Sequence, residues 1–186
     1  LRDIRHWCAY VTAARWRKPE GPGSHLRGRR NHPVVQVALE DAQAYAAWAG
    51  KTLPTEAEWE FAARGGLDGA EYVWGDELEP GGKVMAKTWQ GEFPWRNKAS
   101  KQTQRTAPVG SYEPNGYGLF DMAGNVWQWT TDWYVAGHSA KKGDACCTLD
   151  NPRGLSSGDS FDPRQPNISI PRKVVKGGSY HCAPSS

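Results

Sequence analysis

Two stretches of the chain carry side chains that could do chemistry. GGSYHCAPSS, residues 177–186, sets Ser179 and Cys182 three positions apart behind two glycines. Glycine lets the backbone approach a ligand closely, and a thiol with a neighbouring hydroxyl could serve as nucleophile or soft-metal ligand. DMAGNVWQW, residues 121–129, gathers hard oxygen donors within eight residues: the Asp121 carboxylate, the Gly124 and Val126 carbonyls and the Gln128 amide. That is the donor set a calcium ion takes, with Gly124 permitting the tight loop.

Each stretch also has a plainer reading. Cys182 could be an inert core cysteine, and residue types alone leave core and function evenly matched. A cysteine hydrolase with His181 as base is poorly supported, because neighbours on a strand point to opposite faces. The 121–129 stretch could equally be an Asx-type turn entering a strand with Trp127 and Trp129 packed inward. Glu56, Glu58 and Glu60 read as the solvated first turn of a helix, with Glu56 and Glu60 alone sharing a face. The vicinal Cys146 and Cys147 could bind a soft metal or pair with each other, but read more simply as two loop thiols.

The elements that must position these groups are short. Among 186 residues, 21 Gly, 13 Pro and 10 Trp predict many turns with large aromatics between them, within one domain. HPVVQVAL (32–39) reads as a strand. EDAQAYAAWAG (40–50) reads as a helix burying Ala42, Tyr45, Ala46 and Ala49 and stopped by Gly50. In KTLPTEAEWEFAARGG (51–66), Thr55 and Glu58 have capping-box spacing, Trp59, Ala62 and Ala63 form the buried stripe, and Gly65 ends the helix. Beyond residue 66 the pattern gives short β runs at 71–77, 87–95, 106–134 and 172–180. Turns are expected at Asn115-Gly116 and Gly124-Asn125, and a long loop over 136–171.

Composition also narrows the partners. A net charge of +3 does not argue for nucleic acid, although basic residues crowd the first thirty positions. No apolar run approaches the roughly 18 residues of a membrane span. Four cysteines without C-x-x-C spacing fit neither a zinc site nor a disulfide scaffold, so a reducing compartment is expected.

The segments HPVVQVALEDAQAYAAWAGKTLPTEAEWEFAARGG, YVWGDEL, WQGEFP, TAPVGSYEPNGYGLFDMAGNVWQWTTDWY and KGGSYHC, in that order, closely resemble the formylglycine-generating enzymes, or sulfatase-modifying factors. The resemblance implies an α+β, C-type-lectin-like fold of low regular content, with two short helices and short antiparallel strands. It implies that residues 1–186 are a single truncated domain, lacking the family's N-terminal portion and C-terminal end. The implied activity is oxidation by molecular oxygen of the cysteine in a sulfatase C-x-P-x-R motif to Cα-formylglycine, on an unfolded or nascent sulfatase. Copper(I) is the implied cofactor, held by two cysteines spaced C-x-x-x-x-C.

Cys182 falls on the first copper cysteine and Ser179 on the family's active-site serine. The second cysteine falls at position 187, so the 186-residue chain is expected to be inactive alone. Asp121, Gly124, Val126 and Gln128 match one calcium site of the family, with carboxylate and amide exchanged between its first and last positions. A second family site maps to Lys87, Thr88, Lys101 and Thr103, where two lysines would repel a dication. Ala46 and Ala63 stand at disulfide positions of secreted members, implying a cytoplasmic form, and a monomer is expected. The competing readings are a sulfoxide-synthase-like non-haem iron oxidoreductase and a non-catalytic lectin-like binding module.

Overall fold

Helix α2 (Glu56–Arg64) forms between the start and stop signals of its sequence, and both ends are sealed. At its N-terminus the Glu58 N–H donates to Thr55 Oγ1 at 3.1 Å, and the Thr55 N–H donates to the Glu58 carboxylate at 2.8 Å. These reciprocal bonds satisfy two donors that a helix start leaves open. At its C-terminus Gly65 turns left-handed at φ 58°, and the Asn115 amide donates to the Ala62 and Ala63 carbonyls at 2.7 and 3.1 Å. A Cβ on Gly65 would stand 2.8 Å from Asn115, so the turn at 115–116 can dock only against glycine. The helix buries Trp59 and Ala63.

The computed structural model describes residues 9–100, 105–135 and 154–183. Besides α2 it contains α1 (Leu39–Trp48) and four short strands, β1 (Gly91–Glu92), β2 (Arg96–Asn97), β3 (Gln128–Trp133) and β4 (Lys173–Lys176). Single 3-10 turns lie at Pro80–Gly82 and Ser157–Asp159. Strands β1 and β2 form an antiparallel hairpin. Strands β3 and β4 pair antiparallel with Gln128 opposite Lys176 and Trp129 opposite Val175, then shift register before Trp133 meets Lys173. This is the mixed α+β architecture with little regular structure that was expected, two helices and short antiparallel strands included.

Two local expectations fail, and a third gains an anchor. Residues 32–39 form no strand, because Gln36 takes φ 56° and breaks the extended run. Helix α1 buries Ala46 and part of Ala42, while Ala49 is exposed and Tyr45 is 68% exposed, its ring tilted against Trp48 at 5.6 Å, because nothing packs over that side of the helix among the described residues. The loop expected over 136–171 is anchored in its described part: Ser160, fully buried, accepts from the Arg172 N–H and Nε. Cys146 and Cys147 lie outside the described residues, as do Lys101 and Thr103.

Helix α2 is joined to the β3–β4 sheet by charge. Asp132 on β3 is buried, and its two carboxylate oxygens accept from the Glu56 N–H at 2.5 Å and the Gly154 N–H at 2.7 Å. An acid at a helix N-terminus meets both open donors and the positive end of the helix dipole. On β4, Lys176 reaches across to Glu56 at 3.3 Å and to Glu60. Burial opposes the charge on Lys176, but Glu60 and Glu56 outweigh it and hold the pKa above its usual value. The shared face expected of Glu56 and Glu60 therefore exists and serves packing. Asp132→Ala, which takes the acceptor from two part-buried N–H groups, should cost about 1–3 kcal/mol in urea unfolding. Asp132→Asn, which keeps one acceptor, should cost less.

Candidate active site

Ser179 and Cys182 sit in a turn that follows β4. Gly177 and Gly178 leave the strand at φ 88° and 69°, and the Cys182 N–H closes the turn on the Ser179 carbonyl at 2.9 Å. The turn places Ser179 Oγ 3.4 Å from Cys182 Sγ. Ser179 Oγ also accepts the His181 N–H at 3.2 Å, and it keeps one hydrogen and one lone pair with which to meet the sulfur. Ser179 is buried and Cys182 half-buried, so the pair lies at a surface that a substrate can reach.

His181 belongs to this turn and not to a strand. Its ring packs on Tyr180 with centroids 4.1 Å apart. The alternation argument against it as a base therefore does not apply, although the ring is committed to Tyr180.

The turn is held from two sides. The Cys182 carbonyl accepts the Trp89 N–H at 3.0 Å, and the Tyr180 N–H donates to the Asn125 carbonyl at 3.1 Å. Asn125 is itself 2% exposed. Its side chain accepts from the Ala107 N–H at 3.0 Å and donates to the Ala107 carbonyl at 3.2 Å, while its own N–H donates to the Lys87 carbonyl at 2.7 Å. Sequence reasoning marks Asn125 only as a turn former. The one signal available is that Asn tolerates the left-handed conformation it adopts, φ 63°.

Asp121, Gly124, Val126 and Gln128 do come together, around an open depression of about 510 Å³ that Pro33 and Phe120 also line. Two of these side chains are already engaged. The Asp121 carboxylate accepts the Gly110 N–H at 2.8 Å, and the Gln128 amide bonds Trp59 and the Asp121 carbonyl. A second open depression, about 530 Å³, is walled by Val34, Val35, Trp59, Trp127 and Trp129 and reaches Ser179.

Among the described residues no three His, Cys, Asp or Glu side chains gather into a metal cluster. Lys87, at the second expected cation site, is buried, and burial lowers its pKa. Ala46 and Ala63 are both buried. No helix among the described residues is long and apolar enough to cross a membrane.

Residues 3–186 match the family described as "Sulfatase-modifying factor enzyme 1-like domain". The chain belongs to this family. It is 50% identical over 185 residues to the formylglycine-generating enzyme of Mycobacterium tuberculosis, covering 99% of this chain and 58% of that protein. It is equally 50% identical, over 131 residues, to the inactive Cα-formylglycine-generating enzyme 2 of Bos taurus, covering 70% of this chain and 42% of that one. Among solved structures, PvdO from Pseudomonas aeruginosa superposes with a TM-score of 0.50 at 26% identity, over 83% of this chain and 52% of its own. The chain spans about half the length of the curated relatives it matches.

Asn125→Ala removes both side-chain bonds to Ala107 from a site closed to water, and should destabilise the protein by about 2–4 kcal/mol. Because the side-chain bonds to Ala107 position the Asn125 backbone carbonyl that holds the Tyr180 N–H, the same variant should alkylate faster at Cys182 with iodoacetamide under native conditions. Unchanged alkylation would mean that the turn does not depend on this residue.

Proposed function

We propose that the protein containing this chain oxidises a cysteine in a sulfatase C-x-P-x-R segment to Cα-formylglycine. The observation that carries this reading is the contact of Cys182 Sγ with Ser179 Oγ at 3.4 Å, on a half-buried turn. Percentage identity alone cannot carry it, since a relative named formylglycine-generating enzyme and one named inactive are each 50% identical over the residues they match.

The residues present suit copper(I) in kind, because a cysteine thiolate is the soft donor that ion prefers. Cys182 would hold it, together with a second thiolate expected at position 187. Bound there, copper would supply the activation of molecular oxygen. The chain's own contribution is positional. Ser179 Oγ shares a hydrogen bond with the Cys182 sulfur and would donate to it once the sulfur is a thiolate, the double glycine lets a substrate backbone come close, and the tryptophan-walled depression reaching Ser179 offers apolar contact to an extended peptide.

The chemistry balances. Converting the substrate's thiol-bearing methylene to an aldehyde oxidises that carbon by two electrons, puts one oxygen atom on it and releases the sulfur as hydrogen sulfide. The second atom of molecular oxygen leaves as water when two external thiols become a disulfide. The substrate is an unfolded sulfatase segment, because the motif cysteine must reach a turn at the protein surface. A cytoplasmic site of action fits the alanines at 46 and 63.

The test uses the full-length gene product, copper(I), a thiol reductant, air and a C-x-P-x-R peptide, with aldehyde formation followed by hydrazide capture and mass spectrometry. Cys182→Ser should abolish the aldehyde, and Ser179→Ala should slow its formation about 10–100-fold. The 186-residue chain alone should yield none. Undiminished turnover by Cys182→Ser, or no aldehyde from the copper-loaded full-length protein, would overturn the assignment.

A further inference from the structure

The calcium site implied by the family and the arrangement of its residues disagree at Gln128. Its Oε1 accepts the Trp59 indole N–H at 3.0 Å, and its Nε2 donates to the Asp121 carbonyl at 2.9 Å. Neither partner can exchange roles, because an indole N–H only donates and a carbonyl only accepts. The two contacts together fix which end of the amide is nitrogen.

The surrounding packing holds that orientation. Gly177, at φ 88°, lies so close that a Cβ there would stand 3.1 Å from Gln128 Nε2, 3.1 Å from the Met122 carbonyl oxygen and 3.3 Å from the Trp59 ring. On the neighbouring strand, Lys176 extends over the Trp59 ring at 5.8 Å and helps to fix the indole in place. Asp121, the remaining side-chain ligand expected, takes the Gly110 N–H at 2.8 Å. A dication entering among these groups would meet the N–H bonds of Gln128 where it needs an oxygen.

A glutamate at this position would behave differently. One carboxylate oxygen could still accept from Trp59, but the other would face the Asp121 carbonyl, acceptor against acceptor with no proton between them. A calcium ion between those oxygens would relieve that contact. The glutamine relieves it with its own hydrogen.

We propose that the Gln128 amide replaces calcium in this chain: its N–H joins residue 128 to the Asp121 carbonyl directly, and the site takes no cation. The loop at 121–128 is then held by a neutral hydrogen bond whose strength does not depend on calcium supply. This inference is independent of the proposed oxidase activity, since it concerns a different loop and is read without turnover.

The experiment compares wild type and Gln128→Glu in the full-length protein by equilibrium dialysis against calcium and by thermal unfolding with calcium or EDTA. Gln128→Glu should bind one more calcium per chain than wild type. Saturating calcium should raise its Tm by about 5 °C, and wild type should move by less than about 1 °C between calcium and EDTA. Equal calcium stoichiometry in the two proteins would overturn the proposal. If Gln128→Glu folds only with calcium, that dependence supports it. If it folds under neither condition, wild type decides: a Tm unchanged by EDTA supports the proposal, and a fall of several degrees overturns it.

Discussion

The buried amide of Asn125 is the constraint on which the described fold turns. Through one residue the chain ties three distant segments to the loop at 125: Lys87 through the Asn125 N–H, Ala107 through both ends of its side chain, and Tyr180 through its carbonyl. In a protein with longer sheets these links would be ladder hydrogen bonds. Among the described residues the two sheets are two-stranded, and a side chain does the work of a strand. An amide suits the task because it offers donor and acceptor in one plane, matching the N–H and carbonyl of a single residue. The neighbouring glycine is required for the same reason: a Cβ on Gly124 would come within 2.5 Å of the Lys87 carbonyl oxygen.

That arrangement explains how so irregular a fold can hold a reactive thiol in register. Cys182 is fixed neither by a helix nor by a strand. Its turn hangs between the Trp89 N–H on one side and Asn125 on the other, and the double glycine permits the reversal that brings Ser179 under the sulfur. The same economy recurs at Asp132, which holds the start of α2 and the backbone at Gly154, and at Asn115, which holds the end of α2. Buried or half-buried polar side chains with their hydrogen bonds made set the geometry, and Trp59 is buried beside them. Each such residue is a point of failure, since a buried backbone group that loses its partner bears the full desolvation cost.

What the sequence disclosed follows from the range of the forces involved. Thr55, Glu58 and Gly65 declare α2 because capping is settled within a few residues, and the runs at 106–134 and 172–180 contain β3 and β4. Periodicity misplaces Tyr45 on the buried face of α1 because burial is decided by what packs opposite. Residues 32–39 have β-branched side chains but no strand beside them, so propensity had nothing to act on. Ser179 and Cys182 could be singled out by type, yet type alone left them balanced between core and chemistry. The family resemblance supplied the direction, and the geometry supplied the contact between them. Asn125 and Asp132 were not legible as anchors because their partners lie 18 and 76 residues away.

The exchange of carboxylate and amide between residues 121 and 128 shows why counting oxygen donors is not enough. On composition the swap is neutral, since one acid and one amide remain. Position breaks the equivalence. At 121 the carboxylate meets a backbone N–H from Gly110, which any acceptor could satisfy, and it lies near Tyr112, whose pKa burial raises first and this charge raises further. At 128 the side chain stands between an obligate donor, the Trp59 indole, and an obligate acceptor, the Asp121 carbonyl. Only a group with one end of each kind satisfies both without help, and the glutamine amide supplies both ends. A carboxylate there needs a cation; an amide makes one redundant. The requirement is set by a tryptophan 69 residues earlier in the chain, so it cannot be read from the loop that contains the glutamine.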